Sequence, residues 1–224
     1  MYQPHRTRAN RFARQWILSL CDFLFSIFCR RQVRGIENIP KNGPLLVVSN
    51  HVSYADQYLL VISLNQEMIF MAKEELFRYQ PLKFLVESFG AFPVRRGGMD
   101  RKALSEAGQV LDQGLTLFMF PEGTRSKNGK LKPAYPGTAL IALHNRVPIL
   151  PVGITGMEFA EKDPFWLVFH RPQITVNIGR PFHLNAPSSK PNKTQLKELA
   201  GYIMEQIAAL LPPRYRGHYG DGGG

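Results

Sequence analysis

Apolar positions along the chain fall into two patterns. Short, nearly continuous apolar runs occur at Pro44–Ser49 (PLLVVS), Met68–Ala72 (MIFMA), Ala91–Val94, Leu115–Phe120 (LTLFMF), Pro148–Ile154 and Ile174–Ile178. Runs of this length, rich in branched and aromatic residues, predict strands buried on both faces. Between them lie stretches with helical spacing, at 56–65, 76–88, 100–113, 137–146 and 193–211. The last carries Leu196, Leu199, Ile203, Ile207 and Leu210 as one buried stripe. Gly114 suits a helix stop. Strands alternating with helices predict an α/β fold, a mostly parallel central sheet flanked by helices. The segment Val147–Gly153 is marked twice by proline, which predicts an edge or terminal strand.

A different pattern precedes these elements. From Trp16 to Cys29, eleven of fourteen residues are apolar. The exceptions are Ser19, Asp22 and Ser26, which with Gln15 and Arg30 form one narrow polar stripe on a helix. A spanning helix needs roughly 20 apolar residues, so this run is too short to cross a bilayer. Arg30-Arg31 stands where a signal peptide would carry small residues for cleavage. The pattern predicts an amphipathic helix lying in a membrane interface. A helix packed on the body of the domain is the alternative. Cys21 and Cys29 would lie about 12 Å apart along that helix, too far for a disulfide.

Charge supports the membrane reading. The 224 residues hold 28 Lys and Arg against 17 Asp and Glu, a net +11, so the partner is expected to be anionic. Residues 1–34 contain seven arginines and a single acid, Asp22, hence +6 of that charge. Basic residues that bracket an apolar segment point to anionic lipid headgroups and away from nucleic acid. With 44% hydrophobic and 20% charged residues the chain is globular, not disordered or fibrous. Two cysteines exclude a disulfide framework, and no Cys-x-x-Cys pair suggests zinc. The Gly-rich end, from residue 212 to 224, is expected to be a flexible tail.

Four segments sit at or just after predicted strands, where ligands bind in open α/β sheets. The first is Asn50-His51-Val52-Ser53-Tyr54-Ala55-Asp56. A neutral imidazole can take a proton from a hydroxyl, and a carboxylate on its other nitrogen fixes the tautomer. Ser53 is a candidate nucleophile, but a serine at a helix start more often caps the helix. The second is Phe120-Pro121-Glu122-Gly123-Thr124-Arg125-Ser126. Here Gly123 permits close backbone approach, Arg125 offers a planar fork for phosphate, and Glu122 is placed to orient Arg125 or to bind a substrate hydroxyl. The third, Gly90 to Gly98, sets Arg95 and Arg96 beside two glycines as an anion site. The fourth is Val147 to Val152.

Together these segments resemble the glycerophospholipid acyltransferase family, the 1-acyl-glycerol-3-phosphate acyltransferases. NHVSYAD is similar to the family's Asn-His-x-Ser-x-x-Asp block, FPEGTRS to its third block, GAFPVRR to its second, with Arg96 on the arginine, and VPILPV to its fourth. Lys73 falls on a lysine common between the first two blocks. Arg95 departs from the pattern, since many members have Asp there. The resemblance covers residues 33–185 and implies that 35–211 is an acyltransferase domain, preceded by the basic segment 1–34 with its interfacial helix. It implies that His51 is the general base and Asp56 its orienting partner. Lys73, Arg96 and Arg125 would grip the phosphate of lysophosphatidate, with Glu122, Gly123 and Thr124 completing the acceptor site. Backbone N–H groups near Val152 are a candidate oxyanion hole. The donor would be acyl-CoA or acyl-carrier protein, used as a co-substrate, with no metal and no bound cofactor. The product would be phosphatidic acid, formed at the sn-2 hydroxyl, at the cytoplasmic face of a membrane. The partners would be a phospholipid surface and these substrates, not nucleic acid.

Two rivals share these residues. One is the same transfer to a different lysophospholipid. The other is a lipid hydrolase using Ser53, although no Gly-x-Ser-x-Gly elbow is present.

Overall fold

A computed structural model describes residues 8–95, 100–158, 170–185 and 190–220. Among the described residues the strands are β1 (Arg30–Arg34), β2 (Leu45–Ser49), β3 (Met68–Lys73), β4 (Phe92–Val94), β5 (Thr116–Met119), β6 (Ile149–Thr155) and β7 (Gln173–Ile178). The α-helices are α1 (Arg8–Phe28), α2 (Asp56–Leu64), α3 (Gln80–Ser88), α4 (Arg101–Asp112), α5 (Gly137–Asn145) and α6 (Lys193–Ala209). The strands form one sheet in the order β1-β7-β6-β2-β5-β3-β4. Every pairing is parallel except that of β6 with β7.

Alternation along the central strands builds two cores. Leu46 and Val48 of β2 face a layer made by α4, α5 and α6, together with Leu117 and Ile149. Leu45 and Val47 face the opposite layer, where α1, α2 and α3 pack with Phe118, Leu150 and Val152. Every residue of β2 and of β6 is buried. That explains why these strands read as continuous apolar runs, since helices cover both of their faces.

Three expectations are corrected. First, β6 is an interior strand, between β7 and β2, in spite of its proline. The Pro151 carbonyl accepts the Gly179 N–H at 2.9 Å, so the Pro151 nitrogen faces that same side. Pro151 lies at the end of the β6–β7 ladder, opposite Gly179, where its carbonyl is bonded and its ring nitrogen gives no bond in return. Second, Arg30–Arg34 is a strand, β1, paired in parallel with β7 at the sheet edge. Its arginines read as a basic flank, yet charge on an edge strand is the ordinary guard against stray pairing. Third, residues 213–219 of the expected tail fold back on the domain. Pro213–Tyr215 and Gly217–Tyr219 form short 3-10 turns, and Tyr215 is buried.

Helix α1 begins well before Trp16. Ile17, Leu18, Phe25 and Phe28 pack against the layer of α2 and α3. Phe12, Trp16, Leu20, Phe23, Leu24 and Ile27 stand exposed, Trp16 at 71%. Asp22, on the polar stripe, pairs with Arg31 at 2.8 Å. The helix therefore packs on the body with one apolar side and presents another to solvent. No helix among the described residues is long and apolar enough to cross a membrane.

Candidate active site

Four consecutive strands, β2, β5, β3 and β4, carry the candidate residues on the loops at their carboxyl ends. Parallel pairing brings those ends to one edge of the sheet, although the segments lie far apart in sequence.

The loop after β2 is a closed hydrogen-bonded unit. His51 Nδ1 lies 2.9 Å from Asp56 Oδ2. The same oxygen accepts the backbone N–H of Val52 at 2.7 Å and of Ser53 at 2.9 Å. Asp56 is fully buried, and His51 is 8% exposed. A carboxylate acceptor puts the imidazole proton on Nδ1 and leaves the Nε2 lone pair as the base. The Phe120 ring lies flat on the imidazole, with centroids 3.7 Å apart and planes within 9°, and this fixes the ring's tilt. Asn50 anchors the loop from behind. Its amide donates to the Ile154 carbonyl at 2.8 Å and accepts the Ile154 N–H at 2.7 Å, so it extends the β2–β6 ladder by one side chain. Ser53 Oγ accepts the Ala55 N–H at 3.2 Å, the local bond expected of a helix-start serine.

The turn after β5 is locked to that loop. The Ser126 N–H donates to the His51 carbonyl at 2.7 Å. Glu122 Oε1 accepts the His51 N–H at 3.2 Å, and Oε2 accepts the Lys132 N–H at 3.0 Å. Glu122 is only 2% exposed, and both of its oxygens are occupied by main chain, neither by Arg125. Burial pushes its carboxyl up to about 7, against the pull of those two N–H groups and the Lys132 charge. Gly123 has φ +64, a backbone conformation that favours glycine, and a Cβ there would press on the exposed Tyr135 ring at 2.9 Å. Lys132 Nζ reaches the Arg125 carbonyl at 2.6 Å and Thr124 Oγ1 at 3.2 Å. The Arg125 guanidinium lies over the Tyr54 ring, 3.4 Å from its centroid, so a residue of the His51 loop forms its platform.

Farther along the edge, Lys73 ends β3, with Nζ 3.1 Å from Glu75. Arg95 follows β4 and pairs with Glu74 at 3.4 Å. Arg96 lies outside the described residues. The backbone near Val152 is committed to the sheet, because Val152 is in register with Ser49 on one side and Ile178 on the other. It supplies no oxyanion hole.

Sequence reasoning missed Tyr54, Phe120 and Lys132. Tyr54 lies inside the NHVSYAD block, and Phe120 opens FPEGTRS, but their pairing with Arg125 and His51 arises only when β2 and β5 are neighbours. Lys132 read as one charge of a basic run.

A buried His–Asp dyad at the carboxyl edge of a parallel sheet, beside an arginine on an aromatic platform, defines an α/β protein equipped for general-base chemistry on an anionic ligand. A model of the Acyltransferase family matches residues 30–155, which take in the dyad and the Arg125 turn. The chain belongs to the acyltransferase family. It is 34% identical over 134 residues to a chloroplastic 1-acyl-sn-glycerol-3-phosphate acyltransferase of Brassica napus, covering 58% of this chain and 38% of that protein. It is 27% identical over 188 residues to the chloroplastic 1-acyl-sn-glycerol-3-phosphate acyltransferase of Arabidopsis thaliana, covering 82% of this chain and 51% of that one. The chain thus spans about half the length, or less, of these two relatives. Among solved structures it resembles the 1-acyl-sn-glycerophosphate (LPA) acyltransferase PlsC of Thermotoga maritima. The TM-score is 0.67 at 26% identity, covering 91% of this chain and 80% of that one.

Proposed function

We propose that the protein transfers an acyl group to the sn-2 hydroxyl of 1-acyl-glycerol-3-phosphate, giving phosphatidic acid. The observation that carries this reading is the His51–Asp56 contact at 2.9 Å, set one loop away from the Arg125–Tyr54 stack. A thioester, acyl-CoA or acyl-carrier protein, is the donor. His51 Nε2 takes the hydroxyl proton as that oxygen attacks the thioester carbonyl. Asp56, on Nδ1, stabilises the imidazolium that forms. The thiolate then leaves as the carbonyl re-forms, and the imidazolium returns the proton to it. Each atom and charge is accounted for without a metal or resident cofactor. Arg125 holds the acceptor phosphate, and Lys73 at the end of β3 assists it; Arg96, outside the described residues, is assigned the same role from its place in the sequence. Glu122, Gly123 and Thr124 serve by shaping the turn that presents Arg125.

The acceptor and product are lipids, and the donor is water-soluble. An enzyme seated on the bilayer surface reaches both. The outward row of Phe12, Trp16, Leu20, Phe23, Leu24 and Ile27 supports a peripheral seat on the cytoplasmic face, with the arginines nearby on anionic headgroups.

The test is direct. Purified protein given lysophosphatidate with acyl-CoA, or with acyl-carrier protein, should yield phosphatidate. Equal rates on lysolipids that lack a phosphate monoester would reject the acceptor assignment. Hydrolysis of the donor with no acyl product would favour a hydrolase.

A further inference from the structure

The segment that follows α6 reaches the phosphate-binding turn through a short relay. Its base is fixed to the end of α6, where Arg216 Nε donates to the Leu211 carbonyl at 3.0 Å. Two backbone bonds then bracket a single residue of the loop after β5. The Leu131 N–H donates to the Tyr215 carbonyl at 2.9 Å, and the His218 N–H donates to the Leu131 carbonyl at 3.2 Å. The Tyr219 hydroxyl accepts the Ala134 N–H at 3.3 Å. On the other side, the Tyr215 hydroxyl donates to Glu158, whose second oxygen accepts the Gly156 N–H beyond β6 at 3.0 Å.

Leu131 and Ala134 flank Lys132, the residue whose N–H holds Glu122 and whose ammonium holds the Arg125 carbonyl. We propose that residues 213–219 are a clasp that positions the Arg125 turn for the acceptor phosphate, with Gly217 as the residue on which its fit depends. Gly217 has φ +50, and a Cβ there would stand 2.4 Å from the Leu131 carbonyl oxygen and 2.9 Å from its nitrogen. Backbone on both sides leaves nothing flexible to give way. The clasp lies beyond residue 155, where the family match ends. The proposal rests on the acyl-acceptor reading given above for its kinetic consequence, but not for its structural one.

Two alanine substitutions in the same segment test it. Gly217→Ala places a methyl group against Leu131. Gly220→Ala is the control, because a Cβ there meets nothing closer than 3.5 Å. In Gly217→Ala the amides of Leu131, Lys132 and Ala134 should exchange with solvent about tenfold faster, the change expected from losing one or two backbone hydrogen bonds. The KM for lysophosphatidate should rise several-fold, with the KM for the acyl donor within about twofold of the parent. Gly220→Ala should match the parent in both readouts. A purely structural tail would not divide the two KM values in this way. Should Gly217→Ala fail to fold, Tyr219→Phe removes only the hydroxyl that accepts from Ala134, and should move the same KM in the same direction by less. Unchanged exchange in folded Gly217→Ala, or faster exchange with an unchanged acceptor KM, overturns the clasp. So does Tyr219→Phe with parental kinetics where it is the variant relied upon. Absence of phosphatidate from the unsubstituted protein would instead be a failure of the functional reading.

Discussion

Glu122 Oε1 accepts the backbone N–H of His51 at 3.2 Å, so a glutamate 71 residues along the chain holds the main chain of the proposed base. Its other oxygen holds the main chain of Lys132. One buried carboxylate therefore ties the His51 loop, proposed to remove the proton, to the Arg125 loop, proposed to hold the phosphate. Attack of a hydroxyl on a thioester needs those two functions at a fixed separation, because proximity and orientation contribute a large share of the rate.

His51→Ala should abolish acyl transfer, with a fall of at least about 10²–10⁴. Asp56→Asn should lower turnover in the same range, because the amide cannot stabilise the imidazolium. Asp56→Ala should in addition destabilise the fold by about 1–3 kcal/mol, since the buried N–H groups of Val52 and Ser53 lose their acceptor. Turnover and denaturant midpoints on the three variants separate the two effects. Near-normal turnover in folded His51→Ala would remove the mechanism.

Arg125→Lys should not be conservative. Lysine offers a point charge in place of the fork, and it cannot lie flat on Tyr54 as a guanidinium does. The KM for lysophosphatidate should rise much more than that for the donor. Tyr54→Ala should raise it less, in line with a partly exposed stacking contact worth about 0.5–1 kcal/mol. An equal loss on an acceptor without phosphate would show that Arg125 only supports the loop.

Glu122 carries a pH signature. Its carboxyl titrates near 7 when folded and near 4.5 as a free side chain. Between those values the folded state binds more protons than the unfolded state, so stability falls as pH rises. The stabilisation is fully present below 4.5 and is lost as pH passes through about 7. The gap corresponds to about 3 kcal/mol at most. Denaturant midpoints of the parent should therefore drop from pH 5 to pH 8, and Glu122→Gln should flatten that slope. Identical slopes in both proteins would mean that other groups govern the pH dependence.

The outward face of α1 can be tested without disturbing its inward face. Trp16→Ser with Leu20→Ser leaves the half-buried Ile17, Leu18, Phe25 and Phe28 packed against the core. The double variant should stay folded but float poorly with anionic vesicles. Arginine attraction, about 1 kcal/mol per residue at an anionic surface, is screened over roughly 10 Å at 0.1 M salt. The parent should thus bind more weakly at high salt without being released. Failure of the parent to float at low salt would end the membrane reading.

Local sequence determined a good deal here. Continuous apolar runs located β2, β3, β5 and β6, because a strand covered on both faces has no polar side to interrupt it. Helical spacing located α2 to α6 within a few residues. The five-residue step from His51 to Asp56 held the dyad within one strand-to-helix turn, so their meeting needed no distant part of the chain. Tertiary structure decided the rest. Arg30–Arg34 carries no apolar signature, and it is a strand only because β7 offers an open edge to pair with. Pro151 is admissible in an interior strand because it lies at the end of the β7 ladder, where it forgoes a single bond. The partners of Glu122, the Tyr54 platform and the hold of Tyr215 on Leu131 join residues from different strands and from the far end of the chain. Periodicity reports which face of an element is buried. It carries no information on which distant backbone N–H a buried carboxylate will meet, and that depends on strand order, which here interleaves β6, β2, β5 and β3.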